Sequence, residues 1–154
     1  VSVSATTRPP RPGERDGIDY HFLDDEAFDR LIATDALLEW AAFGGHRYGT
    51  PRASVEARLA EGRTVLLEIE VQGARQVRER FPDAVLVFLA PPSEGVLRER
   101  LEARGADDPA RIAERLELGR AELAQADDFD HVVVNDDIEA AASAIGSILD
   151  TPVS

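Results

Sequence analysis

Three short apolar runs, TVLLEIE at 64–70, AVLVFLA at 84–90 and HVVVN at 131–135, constrain this chain more than any other feature. Brief, nearly continuous apolar runs rich in valine and leucine suit strands covered on both faces, as in a parallel sheet. Parallel neighbours need a crossover between them, and helix-period segments lie between and after the runs. Residues 72–80 offer Ala74 and Val77, and residues 93–103 offer Val96, Leu97 and Leu101. A segment from Pro109 carries Ile112, Leu116 and Leu123, with proline where a helix start tolerates it. A last helix from Ile138 to Leu149 has Ile138, Ala141, Ala142, Ile145, Ile148 and Leu149 on one stripe. Strand alternating with helix predicts an α/β fold, a parallel sheet flanked by helices.

Residues 6–50 read differently. A Pro/Gly-rich loop is followed by DYHFL (19–23), a short helix carrying Phe28, Leu31 and Ile32, and the two runs LLEWAAF (37–43) and HRYGT (46–50). Gly44-Gly45 between those runs is a hairpin signal. The reading is a small β-rich insert, 6–50, beside an α/β core made of 1–5 and 51–154. The opening VSVS has the alternation of a strand interior.

Charge narrows the partners. The formal net charge is -13, and all 17 basic residues are arginines. Such a field repels nucleic acid and anionic membranes. No run reaches the roughly 18 apolar residues of a membrane span. The chain has no cysteine, which excludes disulfides and thiolate metal sites and fits a cytoplasmic location. His21, His46 and His131 show no metal-ligand spacing, so no protein-held metal is expected. An arginine cluster inside a negative field points to a small, specific anion.

That cluster is SATTRPPRPGERDGIDYHF, residues 4–22. Pro9 and Pro10 favour polyproline geometry, with three residues per turn, so Arg8 and Arg11 would face the same way about 9 Å apart. Two guanidinium forks at that spacing can hold one phosphate. A solvated surface turn is the competing reading, and Glu14, Asp16, Gly17 and Asp19 fit a hydrophilic turn rather than a calcium loop. Other residues favour a site. Tyr20 could add a phenolic donor, and Glu39 is a carboxylate in an otherwise apolar strand, costly unless paired. Tyr48, Gly49 and Thr50 follow, and Glu68 and Glu70 close the 64–70 run, at the strand end where α/β proteins bind ligands. Trp40, beside Glu39, is expected on the opposite face and in the core. The stretch QADDFD is expected as a solvated helix end. Arginines for phosphate, a carboxylate for a base edge and hydroxyls beside it describe a nucleoside monophosphate pocket.

In order and spacing, SVSATTRPPRPGERDGIDYHF, LLEWAAF, RYGTPR, LLEIEVQGAR, FLAPPS, RLEARG and HVVVNDD resemble guanylate kinase over essentially the whole chain. The resemblance implies the P-loop NTPase-like fold of nucleoside monophosphate kinases, with a GMP-binding insert and a lid near 104–118. It implies transfer of the γ-phosphoryl group of MgATP to GMP, giving ADP and GDP. On this match Arg8, Arg11, Tyr20 and Tyr48 hold the GMP phosphate, and Glu39 accepts the guanine N1 and N2 hydrogens. Ser4, Thr50 and Glu70 complete the base site. Arg100, Arg104 and Arg115 are the catalytic arginines, and Arg104 and Arg115 serve ATP as well, with Asn135 at the adenine. The partners implied are GMP and ATP with Mg²⁺, and closure of the insert and lid would exclude water. A guanylate-kinase-like module that binds a phosphorylated ligand or peptide without catalysis is the alternative.

Some positions depart from the family pattern. Glu70 stands where aspartate is usual, Arg47 where many members have tyrosine, and His46 where many have asparagine; the last two are expected at the pocket rim. The motif G-x-x-x-x-G-K-[ST] does not occur, and the chain has no lysine. The family places that motif before the point matching Val1, so a preceding segment of roughly 30 residues is expected.

Overall fold

The computed structural model describes residues 1–103 and 108–150, in two compact units, Val1–Ala84 and Val85–Ser154. In the first unit a four-stranded sheet is built from β1 (Ala5–Thr6), β2 (His21–Phe22), β3 (Leu37–Phe43) and β4 (His46–Pro51). The strand order is β2-β1-β4-β3, with β1 parallel to β2 and antiparallel to β4. The β3–β4 hairpin forms where the sequence predicts it. Gly44 and Gly45 sit at φ 60° and 80°, the left-handed pair a two-residue type I′ turn requires.

Helix α1 (Asp25–Ala33) starts where Asp24 accepts the Ala27 N–H at 2.7 Å, with Asp25 and Glu26 in its first turn. Its Phe28 is fully buried against Ala5 and Leu37, with Leu23, Leu31 and Ile32 around them. Helix α2 (Arg52–Ala60) is not expected from sequence: RASVEARLA has little apolar periodicity, and Pro51 provides no side-chain cap. It forms because Val55 packs with Leu38 and with Val77 of helix α3 (Val71–Arg80). The 64–70 run differs from expectation. No strand forms there among the described residues, because a ladder needs a neighbour and the backbone bonds seen are Ser2 N–H to the Leu66 carbonyl, 3.3 Å, and Ala74 N–H of α3 to the Glu70 carbonyl, 2.9 Å. Val65, Leu67 and Ile69 line the Leu38–Val55–Val77 cluster, while Leu66 and Glu68 are exposed. The opening VSVS is likewise outside any strand, pairing beginning at Ala5.

The second unit holds a parallel pair, β5 (Val87–Ala90) and β6 (His131–Val134), registered Val87 to His131. Its helices are α4 (Glu94–Ala103), α5 (Pro109–Leu123) and α6 (Ile138–Leu149), close to the predicted bounds. Asp108 and Asp137 cap α5 and α6 by accepting the N–H groups of Arg111 and Ala140. Leu101, Ile112 and Leu116 form the α4–α5 core with Leu97. The aspartates of QADDFD are exposed, as expected, while Ala126 is buried. Asp130 accepts the Leu86 N–H at 2.7 Å and fixes the start of β5, after a short 3₁₀ turn at Ala126–Asp128. Among the described residues no helix is long and apolar enough to cross a membrane.

Phe28→Ala should cost about 3–5 kcal/mol by emptying the α1 anchor. Urea unfolding followed by far-UV circular dichroism checks this; a loss under about 1 kcal/mol would mean that α1 is held some other way.

Candidate functional site

The hydroxyl- and guanidinium-rich loop begins where β1 ends. The Thr6 hydroxyl donates to the Arg47 carbonyl at 3.0 Å and accepts the Arg8 N–H at 3.1 Å. Thr7 pairs with Arg47 through its own N–H and its hydroxyl, each at 3.0 Å. Both threonines therefore close the strand end, and Arg8 is delivered inward, 9% exposed. Its guanidinium forms a two-pronged pair with Glu14, 3.0 and 2.8 Å, and donates to the Pro9 carbonyl at 2.8 Å. It also lies 5.5 Å from the Tyr20 ring centre and 5.8 Å from that of Phe22.

Glu14 is the residue sequence reading undervalued. Besides Arg8 it accepts the Arg11 N–H at 2.6 Å, which shuts the loop on itself. The Arg8 bonds hold the Glu14 carboxyl below its ordinary range, and Glu14 in turn raises Arg8. The shared face expected for Arg8 and Arg11 is absent, since Arg8 turns onto Glu14 and Arg11 is exposed. The chain turns there, Glu14 N–H bonding the Arg11 carbonyl, instead of continuing as an extended polyproline segment. The other loop acids also serve the backbone, Asp16 accepting the Phe22 N–H and Asp19 the Arg15 N–H.

Tyr20 and Tyr48 meet edge to face, 6.1 Å between centres, and Tyr48 bears electrostatically on Arg8. Burial raises the Tyr20 hydroxyl pKa, so it stays a protonated donor at neutral pH. Glu68, at the end of the 64–70 run, is exposed and reaches Tyr20 through its charge. Tyr48 and Thr50 are alternate residues of β4, so their side chains share one face about 7 Å apart. Glu39 lies opposite Thr50, and Ala41 opposite Tyr48, in the β3–β4 register.

Glu39 is 4% exposed, and its Oε1 accepts the Thr50 hydroxyl at 2.6 Å. Among the described residues no cation bears on it. Burial pushes its carboxyl up, Thr50 pulls it back by hydrogen bonds, and the nearby Glu70 charge pushes it up again. Glu70 stands at the head of α3, and Ser4, just ahead of β1, accepts the His21 N–H on its carbonyl at 2.8 Å. Trp40 takes the face opposite Glu39 as expected, yet at 37% exposure it is a surface residue. Arg47 turns off the Tyr48 face onto α1, paired with Asp25 and Asp29 and stacked 4.9 Å from the Phe28 centre.

These contacts gather Arg8, Tyr20 and Tyr48 at one end of a face, and Glu39, Thr50 and Glu70 at the other. That sets a guanidinium beside two phenols, and a buried hydrogen-bond acceptor, within one unit. The family model described as guanylate kinase matches residues 1–151.

The chain belongs to the guanylate kinase family.

It is 59% identical over 149 residues to the guanylate kinase of Gloeobacter violaceus, spanning 97% of this chain and 73% of that one. The guanylate kinase of Thermobifida fusca is 54% identical over 152 residues, 99% of this chain and 78% of its own length. The crystal structure of guanylate kinase from Anaplasma phagocytophilum superposes with a TM-score of 0.83 at 38% identity, covering 96% of this chain and 72% of that chain. The fold is accordingly the P-loop NTPase-like fold of the nucleoside monophosphate kinases, and the chain is of a phosphotransferase family. In the second unit the Arg100 guanidinium donates to the carbonyls of Asn135 and Asp136, 2.9 and 3.4 Å, so Arg100 and Asn135 are neighbours. Arg115 is half-buried on α5, and Arg104 lies outside the described residues.

A carboxyl whose pKa is raised by folding binds a proton more readily in the native state than in the unfolded chain. Glu39 therefore contributes stability that is fully present below its unfolded value, near 4.5, and is lost as pH rises through its folded value. Thr50→Val, which removes the hydroxyl donor, should raise the Glu39 pKa further and steepen that loss. Carbon-13 NMR titration of the side-chain carboxyl reads it; an unchanged midpoint in the variant would mean that Thr50 does not stabilise the carboxylate.

Proposed function

We propose that the first unit binds GMP, with Glu39 reading guanine and Arg8, Arg11, Tyr20 and Tyr48 holding the phosphate. The chain's reaction as a guanylate kinase is transfer of the γ-phosphoryl group of MgATP to GMP, giving ADP and GDP. The observation that carries the base assignment is the Glu39 carboxylate, buried, bonded at Oε1 by Thr50, and with no cation beside it among the described residues. Guanine presents N–H groups at N1 and N2, whereas adenine has an acceptor at N1 and no amine at C2. An ionised carboxylate accepts and cannot donate, so it pairs with the first edge and repels the second. Ser4 and Glu70 belong to the same end of the site.

At the other end Arg8 stays charged. Three of its guanidinium bonds go to Glu14 and Pro9, and the fork has five N–H donors, so a phosphate can share the group without breaking the loop. The attacking group would be a phosphate oxygen with a second pKa near 6, largely ionised at neutral pH, so no strong general base is required. What the chain's residues supply is position and positive charge, which is how phosphoryl transfer is accelerated. Arg100, Arg104 and Arg115 would face the transferring group, with Asn135 at the adenine. Among the described residues no group of three or more His, Cys, Asp or Glu gathers for a metal, and Mg²⁺ enters as part of the MgATP substrate. The reading assigns residues 6–50 to the GMP insert and 104–118 to the lid, and places the enzyme in the cytoplasm with its substrates.

Full-length protein incubated with MgATP should convert GMP to GDP and leave AMP largely unconverted. Glu39→Ala should weaken GMP binding by about 2 kcal/mol or more in calorimetry, since it strands base donors. Comparable turnover of AMP by the unaltered protein, or unchanged GMP affinity in the variant, would remove Glu39 from the base site.

A further inference from the structure

Helix α3 meets the base end of the site at a residue without a side chain. A Cβ at Gly73 would stand 2.2 Å from Glu39 Oε2, 3.0 Å from Glu39 Cδ and 3.4 Å from the Ile69 Cβ. Non-bonded heavy atoms rest near 3.5–4.0 Å, so the first of these distances is an overlap. The Glu39 oxygen that Thr50 does not hold therefore lies against helix backbone, in space that only glycine leaves. Glycine weakens a helix interior relative to alanine, and its presence here has this packing reason.

Three residues further along α3, Gln76 grips the strand that carries Glu39. Its Oε1 accepts the Trp40 N–H at 3.1 Å, and its Nε2 donates to the Trp40 carbonyl at 2.7 Å and to the Gln72 carbonyl at 3.3 Å. Strand β3 is at the sheet edge, where backbone groups lack a neighbouring strand. The Gln76 amide replaces that neighbour, donor to acceptor and acceptor to donor. The edge is thus tied to α3 one residue beyond Glu39, while the Glu39 carboxylate fits the gap at Gly73. Thr50 fixes one oxygen, Gly73 bounds the other, and Gln76 sets the strand-to-helix distance.

We infer that α3 sets the purine specificity of the site, with Gly73 and Gln76 as positioning residues for the Glu39 carboxylate. The inference rests on Glu39 being the guanine reader. A methyl group at position 73 would be met by the far end of a flexible side chain, so the cheapest response is a new Glu39 rotamer and not unfolding. Recognition and folding should then separate, since alanine also favours the helix.

The test uses the full chain and calorimetric affinities for GMP and for inosine monophosphate, which lacks the 2-amino group. Gly73→Ala should bind GMP at least about tenfold more weakly, with GMP/IMP discrimination largely gone. Its melting temperature should be no lower than the parent's, and its affinity for ATP unchanged. Gln76→Leu should loosen GMP in the same way, again with ATP affinity intact. Glu39→Asp draws the carboxylate back by one methylene. It should weaken GMP in the parent, yet cost less, or partly restore binding, in the Gly73→Ala background. If Glu39→Ala abolishes discrimination while Gly73→Ala keeps it, the inference is wrong and the base reading stands. If Glu39→Ala keeps discrimination, both fall. Should Gly73→Ala fail to fold, Gln76→Leu decides, and full discrimination in that variant overturns the inference.

Discussion

The hydrogen bond from the Thr50 hydroxyl to the Glu39 carboxylate, 2.6 Å long and buried, ties fold to site. It exists only in the register that sets Glu39 opposite Thr50, and a slip of one residue would bring Trp40 to the inner face instead. That register is fixed from both ends of the hairpin. The Gly44-Gly45 turn sets it at one end, and an irregularity between Leu37 and Glu39 sets it at the other. Leu38 and Leu37 stay buried across that irregularity, in two different apolar clusters. The β3 strand thus feeds the α1 core and the α2–α3 core at once, and presents Glu39 between them.

The two ends of the site treat charge in opposite ways. Arg8 is kept charged by a carboxylate partner, Glu14, which also closes the loop around it. Among the described residues Glu39 has a hydroxyl partner and no cation, so its carboxylate keeps unused accepting capacity. A paired arginine can still share its fork, whereas a carboxylate already paired to arginine would have little left for a base. Four other arginines serve the scaffold. Arg47 holds α1 to β4, Arg52 and Arg80 converge on Asp35, and Arg120 spans from α5 to Glu94 on α4. Arginine alone among cationic side chains offers this planar fork, and the chain uses no lysine.

Much of the fold is legible in the sequence because it depends on local rules. The capped helices α5 and α6, the double-glycine turn and the parallel β5–β6 pair follow from periodicity and turn chemistry. A carboxylate in an otherwise apolar strand marks Glu39 from its neighbours in the chain alone. Elements set by distant partners are not legible in this way. Helix α2 has almost no pattern of its own and forms because Val55 finds Leu38 and Val77. The 64–70 run has strand composition, yet a strand is defined by its neighbours. Glu14 reads as one acid of a polar turn, since its tie to Arg8 crosses a chain reversal. Trp40 reads as core because alternation gives the face and not what covers it.

Two residues that break local rules explain each other. A glutamate inside an apolar strand is costly, and a glycine inside a helix is costly, and each alone reads as a defect. Placed 2.2 Å from where a Cβ would be, Glu39 Oε2 shows that they are one arrangement. The helix gives up a side chain so that the carboxylate can lie against its backbone. The strand gives up an apolar residue and gains a buried acceptor. Sequence reasoning finds such pairs only when both violations are read together, because neither element's own periodicity calls for the other. Gln76 ties the strand's Trp40 backbone to the helix beside this pair, which holds the carboxylate's distance from α3.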